Sequence, residues 1–252
     1  MSLIFCYLCL IAREKMLVKI LSIFICATAF TACSSNAPEI RALCLRDDIG
    51  NYVIKWESNP PMQGNVKLFV SDNPDNFNIN TPVGNVNIND GVTTYITNDN
   101  MTRKYFMLSF NDKVYQIVGS RGVVMDSIQN LRDLGGYTNN RNLTTRWGKI
   151  YRSGKLSRLS EWDSIRLNNL GIKTIIDLRG TDEIQKSPVL YKKIKVVNIP
   201  IPTVDEDHIS RLIMEGRMRK GDAILFLQDM YLQFVEGNSS QYASVMEQLL
   251  NK

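Results

Sequence analysis

The stretch Ile172-Lys-Thr-Ile-Ile-Asp-Leu-Arg179 decides the fold of the second half of this 252-residue chain. Its run of β-branched, apolar residues reads as a strand buried on both faces, the kind found in parallel sheets. Asp177 and Arg179 fall at its C-terminal end, where the ligand sites of open α/β sheets gather. Just upstream, Ser160 to Leu170 reads as a helix. Ser160 is a good N-cap, and Asp163 three residues on makes an acidic variant of the capping box. Trp162, Ile165, Leu167 and Leu170 supply its apolar faces, and Gly171 ends it by easy access to the left-handed region. Downstream, Lys195–Ile199 reads as a second strand, closed by Pro200 and Pro202, which remove ladder donors. Met214–Met218, Ala223–Val235 and Tyr242–Leu250 read as helices. Strands alternating with helices place residues 121–252 in the α/β class.

Upstream of Gly119 the pattern is different. Asn51–Glu57 alternates, with Tyr52, Ile54 and Trp56 on one face. Asn65–Ser71, Val83–Ile88, Thr93–Thr97, Lys104–Phe110 and Lys113–Val118 follow as short strands. Clusters such as Asn59-Pro60-Pro61, Asp72-Asn73-Pro74 and Asn111-Asp112 separate them, and these residues favour turns. Strands at this spacing with no helical pattern between them predict a β-sandwich over residues 34–120. The segment resembles a fibronectin type III or immunoglobulin-like module. Trp56 is expected in its core and Tyr105 as a tyrosine corner, and the module's default role is a spacer or a protein-docking unit.

The N-terminus reads as an export signal. Lys19 is followed by the apolar stretch Ile20–Phe30, then Thr31, Ala32 and Cys33. The ending resembles a bacterial lipoprotein box, which implies cleavage before Cys33, lipidation of Cys33 and tethering outside the cytoplasm. Phe30 stands where that box usually has Leu. The uncharged run Ile20–Ser35 is shorter than the ~20 apolar residues of a spanning helix. Met16 reads as the initiator and residues 1–15 as upstream read-through. The formal net charge is +5, of which residues 1–33 contribute +2. The remaining +3 argues for no nucleic-acid partner. Beyond Cys33 a single cysteine remains, Cys44, so no intramolecular disulfide framework is available, and Cys44 reads as a small buried hydrophobe. One histidine, His208 in a polar run, and no cysteine cluster argue against a metal site.

The segments Asn130-Leu-Arg-Asp-Leu-Gly-Gly-Tyr137, Arg146-Trp-Gly-Lys-Ile-Tyr-Arg-Ser-Gly154, Ile172–Arg179 and a helix holding Tyr231-Leu-Gln-Phe234 come in one order. That succession resembles the bacterial and fungal tyrosine phosphatase family over about residues 121–252. The full organisation is then α+β and multidomain: a signal peptide (1–33), a β-sandwich (34–120) and an incomplete α/β phosphatase domain with a parallel sheet (121–252).

The resemblance implies cleavage of phosphomonoesters by a cysteine thiolate, with no cofactor. Phosphoproteins or other phosphomonoesters would be the substrates of intact relatives. Such a reaction needs a depressed thiol pKa, amide donors and an arginine for the phosphoryl oxygens, and an acid for the leaving group. The resemblance makes Asp177 the candidate acid and Arg179 a residue that orients either Asp177 or the phosphate loop. The family's nucleophile loop is His-Cys, five residues, then Arg. Here no cysteine follows Cys44 and none of the five has an arginine six residues on, so the catalytic nucleophile is absent. In the family that loop follows the helix expected at Tyr242–Leu250, so the expectation is a reading frame that stops short of it. Arg132 and Asp133 read as an ion pair bracing the Gly135-Gly136 turn, and Arg152 and Ser153 as structural hydrogen-bonding residues that could border a phosphate pocket. The alternative is a non-catalytic lipoprotein, a pseudophosphatase acting as a binding module.

Overall fold

The computed structural model describes residues 38–156, 158–189, 191, 194–201 and 206–250, without the side chains of 206–208. The export signal with Cys33, Pro202 and the His208 side chain lie outside the described residues. By contacts the chain forms two units, Met1–Ile40 with Ser58–Met62, and Arg41–Glu57 with Gln63–Lys252. Among the described residues, the second holds nearly all of the regular structure.

Its first part carries seven strands: β1 (Glu39–Arg46), β2 (Tyr52–Asn59), β3 (Asn65–Ser71), β4 (Gly84–Asn87), β5 (Val92–Tyr95), β6 (Tyr105–Phe110) and β7 (Val114–Gly119). They form a three-stranded sheet in the order β1-β2-β5 and a four-stranded sheet in the order β4-β3-β6-β7. β2–β5, β3–β4, β3–β6 and β6–β7 pair antiparallel, with Leu68 opposite Leu108 and Leu108 opposite Gln116. The expected alternation in β2 holds: Tyr52, Ile54 and Trp56 are buried. Their rings meet those of the other sheet, Tyr52 on Phe106 at 5.1 Å and Trp56 on Phe110 at 6.4 Å. Burying each such side chain stabilises by roughly 1.5–3 kcal/mol. The Trp56 indole N–H donates to the Ile88 carbonyl at 2.8 Å. Three residues join β6 to β7; Asn111 and Asp112, both with φ above +50°, are the central pair of a turn closed by the Lys113 N–H donating to the Phe110 carbonyl at 3.0 Å.

Two features depart from the sequence reading. β1 is an additional strand; its burial alternates, with Cys44 buried and Ile40, Ala42 and Arg46 half-buried, but the exposed Leu43 and Leu45 on the other face hide that period in the sequence. β6 is buried at all six positions, where alternation predicts one solvated face. Its Tyr105 points away from the ring stack and makes no tyrosine corner. Its hydroxyl lies 3.3 Å from that of Tyr151.

The second part contains β8 (Arg132–Asp133), β9 (Tyr151–Arg152), α1 (Glu161–Asn169), β10 (Thr174–Asp177), α2 (Thr181–Lys186), β11 (Lys195–Asn198), α3 (Glu206–Met214), α4 (Lys220–Glu236) and α5 (Ser239–Leu250). β10 and β11 pair parallel, Thr174 to Lys195 through Asp177 to Asn198, as the apolar run predicts, but the strand is not buried on both faces: Ile175 and Asp177 are buried, Ile176 is half-buried and Thr174 exposed. The chain is thus mixed α/β, with antiparallel sheets and a parallel pair. Leu167 of α1 packs on Ile128 and Leu131, with Tyr151, Leu170 and Ile172 around them.

Ser160 caps α1 by accepting from the Asp163 N–H at 3.0 Å. Asp163 closes no capping box, because its carboxylate faces the other way. It accepts from the N–H groups of Asp126 and Ser127, both at 2.8 Å, and from the Ser127 hydroxyl. The helix expected at Met214–Met218 is replaced by the end of α3 at Met214, with Gly216 at φ +65° reversing the chain. α2 was not legible, being one short turn-and-a-half. α4 and α5 bury none of their residues, and Ile224, Leu225, Tyr231, Val235 and Leu250 are exposed.

Candidate functional site

β10 ends on Asp177, whose backbone carbonyl accepts from Ile199 N–H at 2.9 Å, so the strand pairing fixes where this residue sits. Its side chain is buried, and Arg179 wraps around it. Arg179 Nε donates to Oδ1 at 2.9 Å and Nη2 to Oδ2 at 2.7 Å, a two-pronged pair, while the Arg179 backbone N–H reaches Oδ1 at 3.2 Å. The remaining prong, Nη1, donates to the Ser187 carbonyl at 3.0 Å, past the end of α2. Burial works to raise the Asp177 carboxyl, but the Arg179 hydrogen bonds outweigh it and hold the group below the usual carboxylate range. The same pairing raises Arg179. The structure therefore brings together the two residues singled out in the sequence, as an ionised, oriented unit.

A carboxyl lowered in the folded state stabilises the fold above its unfolded pKa of about 3.9, and that stabilisation is lost as pH falls through the folded value. Asp177→Asn is expected to flatten the acid limb of the melting temperature below about pH 4, leaving the neutral-to-alkaline limb parallel to the wild type. Acid limbs of equal steepness in the two proteins would contradict the pairing.

Cys44 is buried in β1, bridged to Ser120. Burial pushes its thiol up to about 12, and the nearby Arg103 charge does not offset this. It behaves as the small buried hydrophobe the sequence suggests. Ellman's reagent at pH 8 should leave it unmodified in the native chain and titrate it after unfolding; fast native reaction would show that the site opens.

The Arg132–Asp133 ion pair expected from sequence does not form. Adjacent strand residues point to opposite faces. Arg132 donates to the Asn130 side chain at 3.1 Å. Asp133 turns inward, fully buried, and pairs with Arg103 at 2.5 Å. Its two oxygens also accept from the Gly135 N–H at 2.7 Å and the Gly148 N–H at 2.8 Å. So Asp133 does brace the glycine turn, through a partner that sequence reading missed. Arg103 lies in a polar loop 30 residues earlier with no local signal of its role. Arg152 is exposed opposite Arg132 in the β8–β9 ladder, and Ser153 donates to the Gly154 carbonyl at 2.9 Å. Neither bonds Asp177 or Arg179 among the described residues.

Among the described residues no group of three or more His, Cys, Asp or Glu could hold a metal ion, and no helix is long and apolar enough to cross a membrane. What the site can do is orient a carboxylate and present a guanidinium at the mouth of a parallel strand pair.

Comparison with known proteins places the chain in a family. The family model described as "Tyrosine phosphatase family" matches residues 123–252, just over half of the chain, and takes in β8 through α5. A protein of Cupriavidus necator named "Putative tyrosine-protein phosphatase H16_A0669" is 38% identical over 72 residues. That match covers 29% of this chain and 26% of the relative, so the chain spans about a quarter of the length of the curated relative it matches. The order of motifs, the parallel pair ending on Asp177 and the span of the family match agree, and the chain belongs to the tyrosine phosphatase family.

Proposed function

We propose that the chain is an exported, lipid-anchored member of the family, serving phosphomonoester hydrolysis by a cysteine thiolate. The observation that carries this reading is the Asp177–Arg179 unit at the end of β10, inside the family-matched residues. In this reading Asp177 protonates the leaving oxygen and Arg179 orients it. Their pairing keeps Asp177 ionised, so the acid role requires the guanidinium to turn toward the phosphoryl oxygens. That turn removes the bonds holding the carboxyl low and lets it take up a proton. The nucleophile is not among these 252 residues: no cysteine has an arginine six residues on, and Cys44 is buried and protonated. Substrates are phosphoproteins or other phosphomonoesters. The seven strands form a β-sandwich module preceding the phosphatase domain, and Cys33 carries the lipid.

A second reading, a pseudophosphatase acting as a binding lipoprotein, is favoured by the same missing thiolate. The DNA past codon 252 separates them. A frame encoding His-Cys-x5-Arg, in register or one base out, supports the hydrolase; a long stretch without it supports the binding protein. For the anchor, Cys33→Ser is expected to abolish incorporation of labelled palmitate in bacterial cells and release the chain from the membrane fraction. Unchanged labelling would refute lipidation at that residue.

A further inference from the structure

The family match begins at residue 123, yet the residues that hold its first motif lie before it. The carboxylate of Asp133, the acidic residue of the Asn130–Tyr137 motif, is fully buried and its charged partner is Arg103, from the loop that leads into β6. Arg103 is itself gripped from both sides. Its Nη2 donates to the Ser120 carbonyl at 2.6 Å, and its guanidinium lies over the Tyr105 ring at 4.6 Å and the Tyr151 ring at 5.7 Å. The Trp147 indole N–H donates to the Ile117 carbonyl of β7 at 3.1 Å. Asp75, in the β3–β4 connection, takes both Arg146 at 2.9 Å and Lys149 at 2.8 Å. These contacts explain why the outward face of β6 is buried at Tyr105, against the alternation.

We propose that the Tyr105 end of the outer face of β6–β7 is a built-in docking surface whose occupant is the chain's own segment 131–152, so that the strand module and the first family motif fold and open as one unit. The module is then not a spacer, and the Tyr105 end of this face is not free for a second protein, while Tyr115 and Ile117 of β7 remain exposed. The exposed Asp75 pairs contribute little, since surface ion pairs are screened. The buried Arg103–Asp133 pair is what sets the register, because any shift would leave a desolvated charge alone. The proposal stands whether or not the chain hydrolyses a phosphoester.

Native-state hydrogen exchange on the 252-residue chain and on its Arg103→Met variant, followed against urea, tests it. The expected result is that peptides covering 105–119 and 131–152 lose protection in one opening with the same urea dependence. Arg103→Met should then speed exchange in both peptides by the same factor. The proposal is overturned if 131–152 exchanges freely while 105–119 stays protected, or if Arg103→Met affects only one of them.

Discussion

Asp133→Ala is expected to destabilise the chain by about 3–5 kcal/mol, the cost of breaking a buried ion pair by removing one partner. The substitution strips Arg103 of its counter-charge and leaves the Gly135 and Gly148 N–H groups without their acceptor. Domains are commonly stable by about 5–15 kcal/mol, so much of the folded population would be lost on warming. Asp133→Asn keeps the shape but not the charge, and should fall between the two. The double variant Arg103→Met, Asp133→Leu removes both charges, and should be less destabilised than either single charge deletion. Urea unfolding followed by tryptophan fluorescence reads all four. An Asp133→Ala midpoint equal to the wild type's would mean that the pair holds nothing.

The second large effect concerns the glycine pair. A Cβ on Gly135 would stand 2.5 Å from the Trp147 Cα, and one on Gly136 would stand 2.4 Å from Trp147 Cζ2. Gly136 also has φ +75°. Overpacking of this sort costs about 1–3 kcal/mol or more, and the left-handed backbone adds about 1 kcal/mol for a non-glycine residue. The two positions differ in what they strike. Gly135 meets the Trp147 backbone, whereas Gly136 meets only ring atoms. In a Trp147→Ala background, Gly136→Ala should therefore cost only about 1 kcal/mol, the backbone share, while Gly135→Ala keeps most of its penalty. Equal relief at both positions would show that the ring alone sets the requirement.

Much of the fold could be read from residue order. Runs with a period of two, such as Tyr52-Ile54-Trp56, and the unbroken apolar run before Asp177 announce strands, because burial on one or both faces leaves a local pattern. The Ser160 cap and the Asn111-Asp112 turn were legible for the same reason. β1 escaped because its outward face carries Leu43 and Leu45 and its inward face ends on Arg46, so the residue types do not follow the alternation in burial. The inward turn of Asp133 escaped because it depends on Arg103, 30 residues away, and sequence-adjacent charges such as Arg132 look like partners although a strand sends them to opposite sides. Asp163 misled similarly: its spacing from Ser160 fits a capping box, but the neighbouring N–H groups of Asp126 and Ser127 compete better for its oxygens. At the candidate site, the pairing of Asp177 with Arg179 was local, two residues apart, and so could be anticipated. The lowering of its carboxyl depends on how the guanidinium wraps it, which spacing alone does not state.

The reading of this chain as a phosphatase segment whose thiolate lies elsewhere is tested most directly by p-nitrophenyl phosphate turnover, assayed with the 252-residue chain before and after iodoacetamide, alongside Cys44→Ser. The expected result is no nitrophenolate release above buffer in any of them. Release by the wild type that iodoacetamide or Cys44→Ser removes would place a working nucleophile among these residues and contradict the account.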